Sequence, residues 1–143
     1  MARTVNKAAR RAARSLVLQI LYEIDLARHD PTMVLADHLL EANFDEEGER
    51  FAREVVPGVV QHRAALDGYI QEVAPEWPVE QMAPVDRNIL RMAIYELLHR
   101  RGTPVKVAIN EAVELARLYG SDNSRRFVNG ALGTFAARHL DTP

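Results

Sequence analysis

Four basic side chains lie close together near the start of the sequence: Lys7, Arg10, Arg11 and Arg14. If residues 7–14 form a helix, their three- and four-residue spacing places them on adjoining parts of one face. The planar guanidinium of arginine can bind a phosphate through two hydrogen bonds and can stack on an unpaired base. The cluster therefore suits single-stranded RNA. A solvated basic start has the same pattern, and both interpretations are open at this point.

The charge of the chain is unevenly distributed. Residues 1–14 carry five basic residues and no acid, a charge of +5. The other 129 residues carry 13 basic and 20 acidic residues, a charge of −7. An acidic protein repels nucleic acid except where basic side chains are gathered. The asymmetry predicts a local anion-binding end on an otherwise acidic molecule.

The sequence lacks the residue patterns on which most enzyme sites depend. It has no GxxxxGK[ST] phosphate loop, no GxSxG nucleophile turn and no HExxH zinc pair. Cysteine is absent, which excludes disulfides and thiolate metal sites. Glu96 and His99 are interpreted as a solvated i,i+3 pair. We predict no catalytic residue, no metal site and no cofactor.

The histidines are scattered without metal-ligand spacing, so surface or boundary positions are expected for them. They are His29, His38, His62, His99 and His139. No apolar run approaches the roughly 20 residues that span a bilayer. No apolar stretch with a cleavage site follows the basic N-terminus, so a signal peptide is not predicted. A cytoplasmic protein is expected, which the lack of cysteine also fits.

Hydrophobic periodicity predicts helices and no strand. In the first helix, Leu16 and Ile20 are four residues apart on one face. Asp30, followed by proline, and Asp45 are predicted N-caps of two further helices. Pro57 predicts a kink or a break in the second of these, because proline removes a backbone hydrogen bond.

The second half of the chain predicts three more helices. One follows Pro84 and ends at Gly102, the next begins at Thr103-Pro104 and runs to Gly120, and the last is capped by Ser121 or Asp122. The short connections favour antiparallel neighbours and a helical bundle.

Several separated motifs occur in a fixed order along this second half. They are Asp86-Arg87, Ile89-Leu90-Arg91, Tyr95-Glu96-Leu97, the stretch PVKVAINEA at 104–112, and Phe127-Val128-Asn129-Gly130. Together with RRAARSLVLQILYEIDL near the N-terminus, they resemble the NusB family. The resemblance runs from about Arg10 to Leu132 and is weakest over residues 30–80.

The resemblance implies an all-α fold, a compact bundle of about seven helices within a single domain, 1–143. Two packed subdomains are implied, about 1–75 with the basic helix and about 76–140. The implied function is to bind boxA-type single-stranded RNA of ribosomal RNA leader transcripts together with ribosomal protein NusE. That pair would help to assemble an antitermination complex on RNA polymerase. Self-association as a homodimer is also open.

The resemblance assigns roles to the basic residues first. Arg10, Arg11 and Arg14 occupy the family's RNA-binding arginine segment, and Lys7 extends it. Phe127 matches an aromatic near the RNA path, where stacking on a base and packing in the core are both open.

Three further positions follow from the same resemblance. Tyr22 and Asp86 match positions on the NusE-facing surface. A buried tyrosine with a satisfied hydroxyl and a first-turn acid favoured by the helix dipole are the structural alternatives. Asn123 stands where family members carry an acid, and an amide removes a charge that would repel phosphate. It is therefore a predicted RNA-binding residue.

Two other classes of protein compete with a nonenzymatic adapter. One is the RNA-binding segment of a ribosomal RNA cytosine methyltransferase, whose N-terminal domain resembles NusB. That enzyme needs a following cofactor-binding domain, which is not expected in a chain ending at Pro143. The other is a purely structural helical protein whose basic end keeps it soluble.

Overall fold

The computed structural model describes residues 7–100 and 102–140, and its regular structure there is entirely helical. Its elements are α1 (Lys7–Ala27), α2 (Pro31–Glu41), α3 (Glu46–Gln61), α4 (Arg63–Val73), a 3-10 helix (Val79–Gln81), α5 (Pro84–His99), α6 (Val105–Tyr119) and α7 (Ser124–His139). The predicted all-α bundle of about seven helices is confirmed. The division into two subdomains stays a prediction.

Local capping explains where two of these helices begin. The Asp30 carboxylate accepts a hydrogen bond from the Met33 backbone at 3.2 Å, and Asp45 accepts one from Gly48 at 2.8 Å. Both predicted N-caps are confirmed. No glycine follows α1. Arg28 instead adopts the left-handed conformation (φ 58°) that glycine usually supplies after a helix.

Some predicted boundaries are wrong. α7 begins at Ser124 after an Asn123 cap, so neither Ser121 nor Asp122 caps it. Instead, the Ser124 hydroxyl accepts a hydrogen bond from the Ser121 backbone at 2.9 Å. α5 ends at His99, before the predicted Gly102.

Pro57 lies inside α3, which continues across it to Gln61, so a break there is wrong. The proline is exposed, on the opposite side from the buried Val55 and Val59. The carbonyl that loses its partner belongs to the exposed Arg53, where water can satisfy it. Packing of the buried face therefore outweighs one lost hydrogen bond.

α5 forms the centre of the bundle, where it packs against α1, α3, α4, α6 and α7. Every side chain from Asp86 to Leu97 is buried, and Ile89, Leu90 and Ile94 are fully so. This helix therefore supplies the centre of the core. α1 packs against α2, α3, α5 and α6. Within residues 7–100 and 102–140, no helix is long and apolar enough to cross a membrane.

Candidate nucleic-acid interface

The basic end of α1 places its four cationic side chains in different surroundings. Lys7 is exposed at the first residue of the helix, and Arg10 and Arg11 are half-buried. Arg14 is buried. All four lie on α1 as predicted, but the buried Arg14 is not part of the accessible basic surface. The accessible basic surface, called the α1 basic end below, consists of Lys7, Arg10 and part of Arg11.

Arg14 belongs to the buried face of α1, because it precedes buried Leu18 by one helical turn. Its Nε donates to Glu96 Oε1 at 3.2 Å, its Nη2 bonds Oε2, and its guanidinium lies 4.8 Å from the centre of the Phe51 ring. Glu96 is 1% exposed, so its interpretation as a solvated partner of His99 is also wrong. Arg14 neutralises a buried carboxylate and is withdrawn from phosphate.

Arg11 faces α6 and forms a bidentate ion pair with Glu111. Its Nε and Nη2 lie 3.2 Å from the two carboxylate oxygens. The Arg11 side chain is 36% exposed, whereas that of Glu111 is 4% exposed. The hydrogen bond to Glu111 raises the pKa of Arg11, against a smaller opposing effect of burial. Arg11 is therefore held in a fixed direction with part of its guanidinium open to solvent.

Arg10 lines a cleft of about 610 Å³ between α1, α3 and the segment after α5. Phe51 and Arg100 form part of its floor, with the Arg100 guanidinium 5.0 Å from the ring centre. Asp45 and Glu47 also line the cleft. The lining of the cleft therefore carries arginines as well as these two acids.

Asn123 and Phe127 lie at the start of α7. Asn123 is exposed, and its side chain forms no capping hydrogen bond. The Phe127 backbone N–H donates to the Asn123 carbonyl at 3.0 Å, which holds the two residues one turn apart. The Phe127 ring is half-buried against the core. It contributes to packing and still offers ring surface to a ligand.

Tyr22 and Asp86 have contrasting environments. Tyr22 is 39% exposed on α1, so it is not the buried tyrosine of the structural alternative. Asp86 is 9% exposed in the first turn of α5, and its Oδ1 has no hydrogen-bond partner in the described part of the chain. Burial raises the pKa of Asp86, and a hydrogen bond from the Ser124 side chain partly opposes the rise. Asp86 is a buried acceptor with unused capacity.

Sequence reasoning missed a group of residues beside the α1 basic end. At the end of α6, Arg117 pairs with Glu114, and the Tyr119 hydroxyl bonds the Ser15 hydroxyl of α1 at 3.2 Å. Tyr119 is 46% exposed. The one sequence signal was the i,i+3 spacing of Glu114 and Arg117, which is common on solvated helices.

The histidines are exposed or half-buried, as predicted. Among the described residues, no group of three or more histidine, aspartate or glutamate side chains is placed to hold a metal ion.

The fold and these surfaces define a class of protein: a small helical bundle with a basic end on its first helix and exposed aromatic side chains along that helix and its neighbour. The chain belongs to the NusB family, whose model matches residues 11–137. It is 52% identical over 134 residues to the transcription antitermination protein NusB of Roseiflexus sp. (strain RS-1), covering 92% of this chain and 94% of that relative.

Solved structures agree with this assignment. T. maritima NusB is 34% identical, with a TM-score of 0.86 over 92% of this chain and 93% of that one. A chain in the crystal structure of antitermination factors NusB and NusE in complex with dsRNA has a TM-score of 0.84 over 94% of this chain and 100% of its own length. At 23% identity, that second likeness concerns the fold.

Proposed function

We propose that this chain is a nonenzymatic transcription antitermination factor of the cytoplasm. It binds boxA-type single-stranded RNA of ribosomal RNA leader transcripts together with ribosomal protein NusE. The pair helps to assemble an antitermination complex on RNA polymerase. The α1 basic end carries the proposal, because it is an accessible cationic surface on an otherwise acidic member of the NusB family.

The comparisons support an adapter over an enzyme segment. The Roseiflexus relative is named as an antitermination protein, and the match covers 94% of its length. The neighbouring structure contains NusB, NusE and RNA, which supports a partner protein beside the RNA for this chain. Recognition through phosphate and base contacts needs no reacting group from the protein.

The proposed surfaces follow the outer side of α1. RNA contacts Lys7, Arg10 and Arg11 at one end of the helix, and Asn123 and Phe127 extend the path onto α7. Tyr22, four turns from the basic end, contacts NusE through its exposed ring. Asp86, in the first turn of α5, is the second residue of that partner surface, through its 9% exposed part.

RNA binding measured with and without NusE, at two salt concentrations, tests the proposal. The RNA is a boxA-type single strand or a scrambled strand of equal length. We expect the boxA-type strand to bind more tightly, and the preference to grow when NusE is added. Equal affinity for both strands, unchanged by NusE, would reject the proposed function.

A double variant, Lys7→Gln with Arg10→Gln, tests the α1 basic end itself. Loss of two phosphate contacts should lower the magnitude of the logarithmic salt slope by about 1.4, at about 0.7 per contact on a single strand. The helical circular dichroism signal should stay. The matched control is Arg50→Gln with Arg53→Gln, which removes the same charge from exposed positions on α3. Equal slopes for the two variants would place RNA elsewhere.

Asn123→Asp tests the proposed path across the start of α7. The added carboxylate would face the RNA phosphates, so RNA affinity should fall modestly, and the fall should shrink as salt screens the repulsion. Fluorescence anisotropy across a salt titration measures this. Unchanged affinity at every salt concentration would argue against Asn123 lying at the RNA.

A further inference from the structure

Three arginines from three helices lie around the contact between α1 and α6. They are Arg11 of α1, Arg117 of α6 and Arg125 in the first turn of α7. Arg11 pairs with Glu111, and Arg117 donates from Nε to Glu114 Oε2 at 2.7 Å. The hydrogen bond from Arg117, with added charge from Arg11 and Arg125, holds the pKa of Glu114 below its ordinary value. The three arginines therefore share one electrostatic environment, which we call the arginine cluster.

The two carboxylates orient the guanidinium groups without covering them. Arg11 and Arg117 each use Nε and Nη2 for the ion pair. Within the described residues, Nη1 of neither arginine has a hydrogen-bond partner in the protein. The side chains are 36% and 51% exposed. A guanidinium held along one edge presents its other edge with little loss of rotamer freedom when it binds an anion.

Charge balance also favours an external anion. Three arginines face two glutamates here, leaving a charge of +1. Arg125, which is exposed, lies in the first turn of α7, where the helix dipole already disfavours a cation. An exposed Glu–Arg pair on a helix contributes only about 0.3–0.5 kcal/mol. Arg11 neutralises the buried Glu111, but stability of the fold gives little reason for Arg117 and Arg125 to lie at this contact.

An aromatic side chain lies at the same contact between α1 and α6. Tyr119 follows Arg117 by two residues and is 46% exposed. Its hydroxyl bonds the Ser15 hydroxyl of α1 at 3.2 Å, which anchors the ring across the two helices. Ser15 follows Arg11 by one helical turn, so the ring lies along the same side of α1 as the arginine cluster. An anchored, exposed ring beside cationic donors is the arrangement used to bind single-stranded nucleic acid.

We propose that Arg11, Arg117, Arg125 and Tyr119 form a nucleotide-binding subsite of the α1–α6 contact. The arginines bind successive phosphates of a single-stranded RNA, and the Tyr119 ring stacks on one base. The inference rests on the proposed RNA-binding function and extends its surface from the α1 basic end onto α6 and α7. Phosphate contacts and stacking do not distinguish one base sequence from another. This subsite therefore contributes equally to the affinity for every strand.

A double variant, Arg117→Gln with Arg125→Gln, tests the cationic part. The affinity for both the boxA-type and the scrambled strand should fall by roughly tenfold near 0.1 M salt, and the magnitude of the salt slope should fall by about 1.4. The ratio of the two affinities should stay as in the wild type. The control is Arg50→Gln with Arg53→Gln on α3. Arg53 forms a similar exposed ion pair with Glu49, on a helix that carries none of the three arginines of the cluster.

Two variants of Tyr119 test the aromatic part. Tyr119→Phe keeps the ring and loses only the hydroxyl bond to Ser15, so its RNA affinity should stay within about twofold of the wild type. Tyr119→Leu loses the stacking surface, and its affinity should fall about fivefold or more. Thermal unfolding of both variants separates this effect from a change in stability. Equal RNA affinity for the leucine and phenylalanine variants would remove the stacking role.

The outcomes separate this subsite from the proposed function. If the wild type binds RNA without preferring the boxA-type strand, the boxA function fails, yet the variants still report on the subsite through either strand. If the wild type prefers boxA and the Arg117, Arg125 variant matches the Arg50, Arg53 control at both salt concentrations, the subsite is overturned. A wild type that binds neither strand overturns both.

Discussion

Arg11 and Arg14 are three residues apart on α1, yet their guanidinium groups serve different purposes. Arg11 is oriented by Glu111 at the edge of solvent, whereas Arg14 is enclosed with Glu96 beside the Phe51 ring. The difference arises from the partner that each arginine meets. One of these residues is available to RNA, and the other maintains the fold on which the RNA surface depends.

Arg14→Ala should therefore reduce the stability of the fold and not only the contact with RNA. Removal of one member of a buried ion pair leaves an uncompensated charge, at a cost of about 3–5 kcal/mol in the free energy of unfolding. Urea unfolding measures this. Arg53→Ala, in an exposed pair with Glu49, should cost less than about 1 kcal/mol. A similar small cost for Arg14→Ala would show that the pair with Glu96 is not buried in solution.

Asp86→Asn should change how stability depends on pH. Burial raises the pKa of Asp86, so the folded state holds this proton more tightly than the unfolded state. Wild-type stability is therefore lost, through this group, as pH rises above its ordinary value of 3.8. The asparagine variant has no ionisable group at this position, so its stability relative to the wild type should increase as pH rises. A stability difference that is constant with pH would contradict this.

At the scale of elements, α3 and α5 are in close contact at Gly58. A Cβ atom built on Gly58 would lie 2.2 Å from the Tyr95 ring. The same ring stacks on His99 at 4.5 Å between centres, so it has little room to move away. Gly130 and Gly133, by contrast, have open space around them and are not close-packing positions. Glycine identity alone did not distinguish these cases.

Gly58→Ala should consequently destabilise the protein by about 1–3 kcal/mol, because the added methyl group overpacks the contact between α3 and α5. Gly68→Ala is the matched control on α4, where no atom lies within 4 Å of the added Cβ. That exposed helical site should gain about 0.5–1 kcal/mol, since alanine favours a helix over glycine. Thermal unfolding compares the two, and a stabilised Gly58 variant would contradict the close contact.

At the scale of the whole molecule, Asp25 joins α1 to α4 and α5. Its carboxylate accepts hydrogen bonds from Arg63 at 3.2 Å, Arg87 at 2.8 Å, Asn88 at 2.9 Å and Arg91 at 3.2 Å. Burial disfavours the charge, but these donors and the arginine charges hold the pKa of Asp25 at about 2. One carboxylate thus fixes three helices at the end of α1 that lies away from its basic end.

Asp25→Asn should cost about 3 kcal/mol at neutral pH, because the buried arginines lose their shared counter-charge. A lowered pKa stabilises the fold above the ordinary value of 3.8, and that contribution is lost as pH falls toward about 2. The difference between wild type and variant should therefore shrink over that range in urea unfolding. Glu72→Gln, at an exposed pair with Arg138, should cost less than about 1 kcal/mol. Equal losses for the two variants would contradict the buried network.

The sequence by itself determined the helical fold class and the family. Both depend on local patterns: Asp30 and Asp45 cap the helices that they precede, and the motifs from Asp86 to Gly130 keep their order along the chain. The same local reasoning was wrong about a break at Pro57, because packing of Val55 and Val59 outweighs one lost hydrogen bond.

Only the tertiary structure decided which basic residues are accessible. The partners of Arg14 and Arg11 are 82 and 100 residues away in sequence, at Glu96 and Glu111. No spacing rule within α1 can identify a carboxylate on another helix. Likewise, Arg117 and Tyr119 are ordinary end-of-helix residues until α6 packs against α1. Long-range packing places Arg14 in a buried ion pair and leaves the other cations of α1 at an exposed surface.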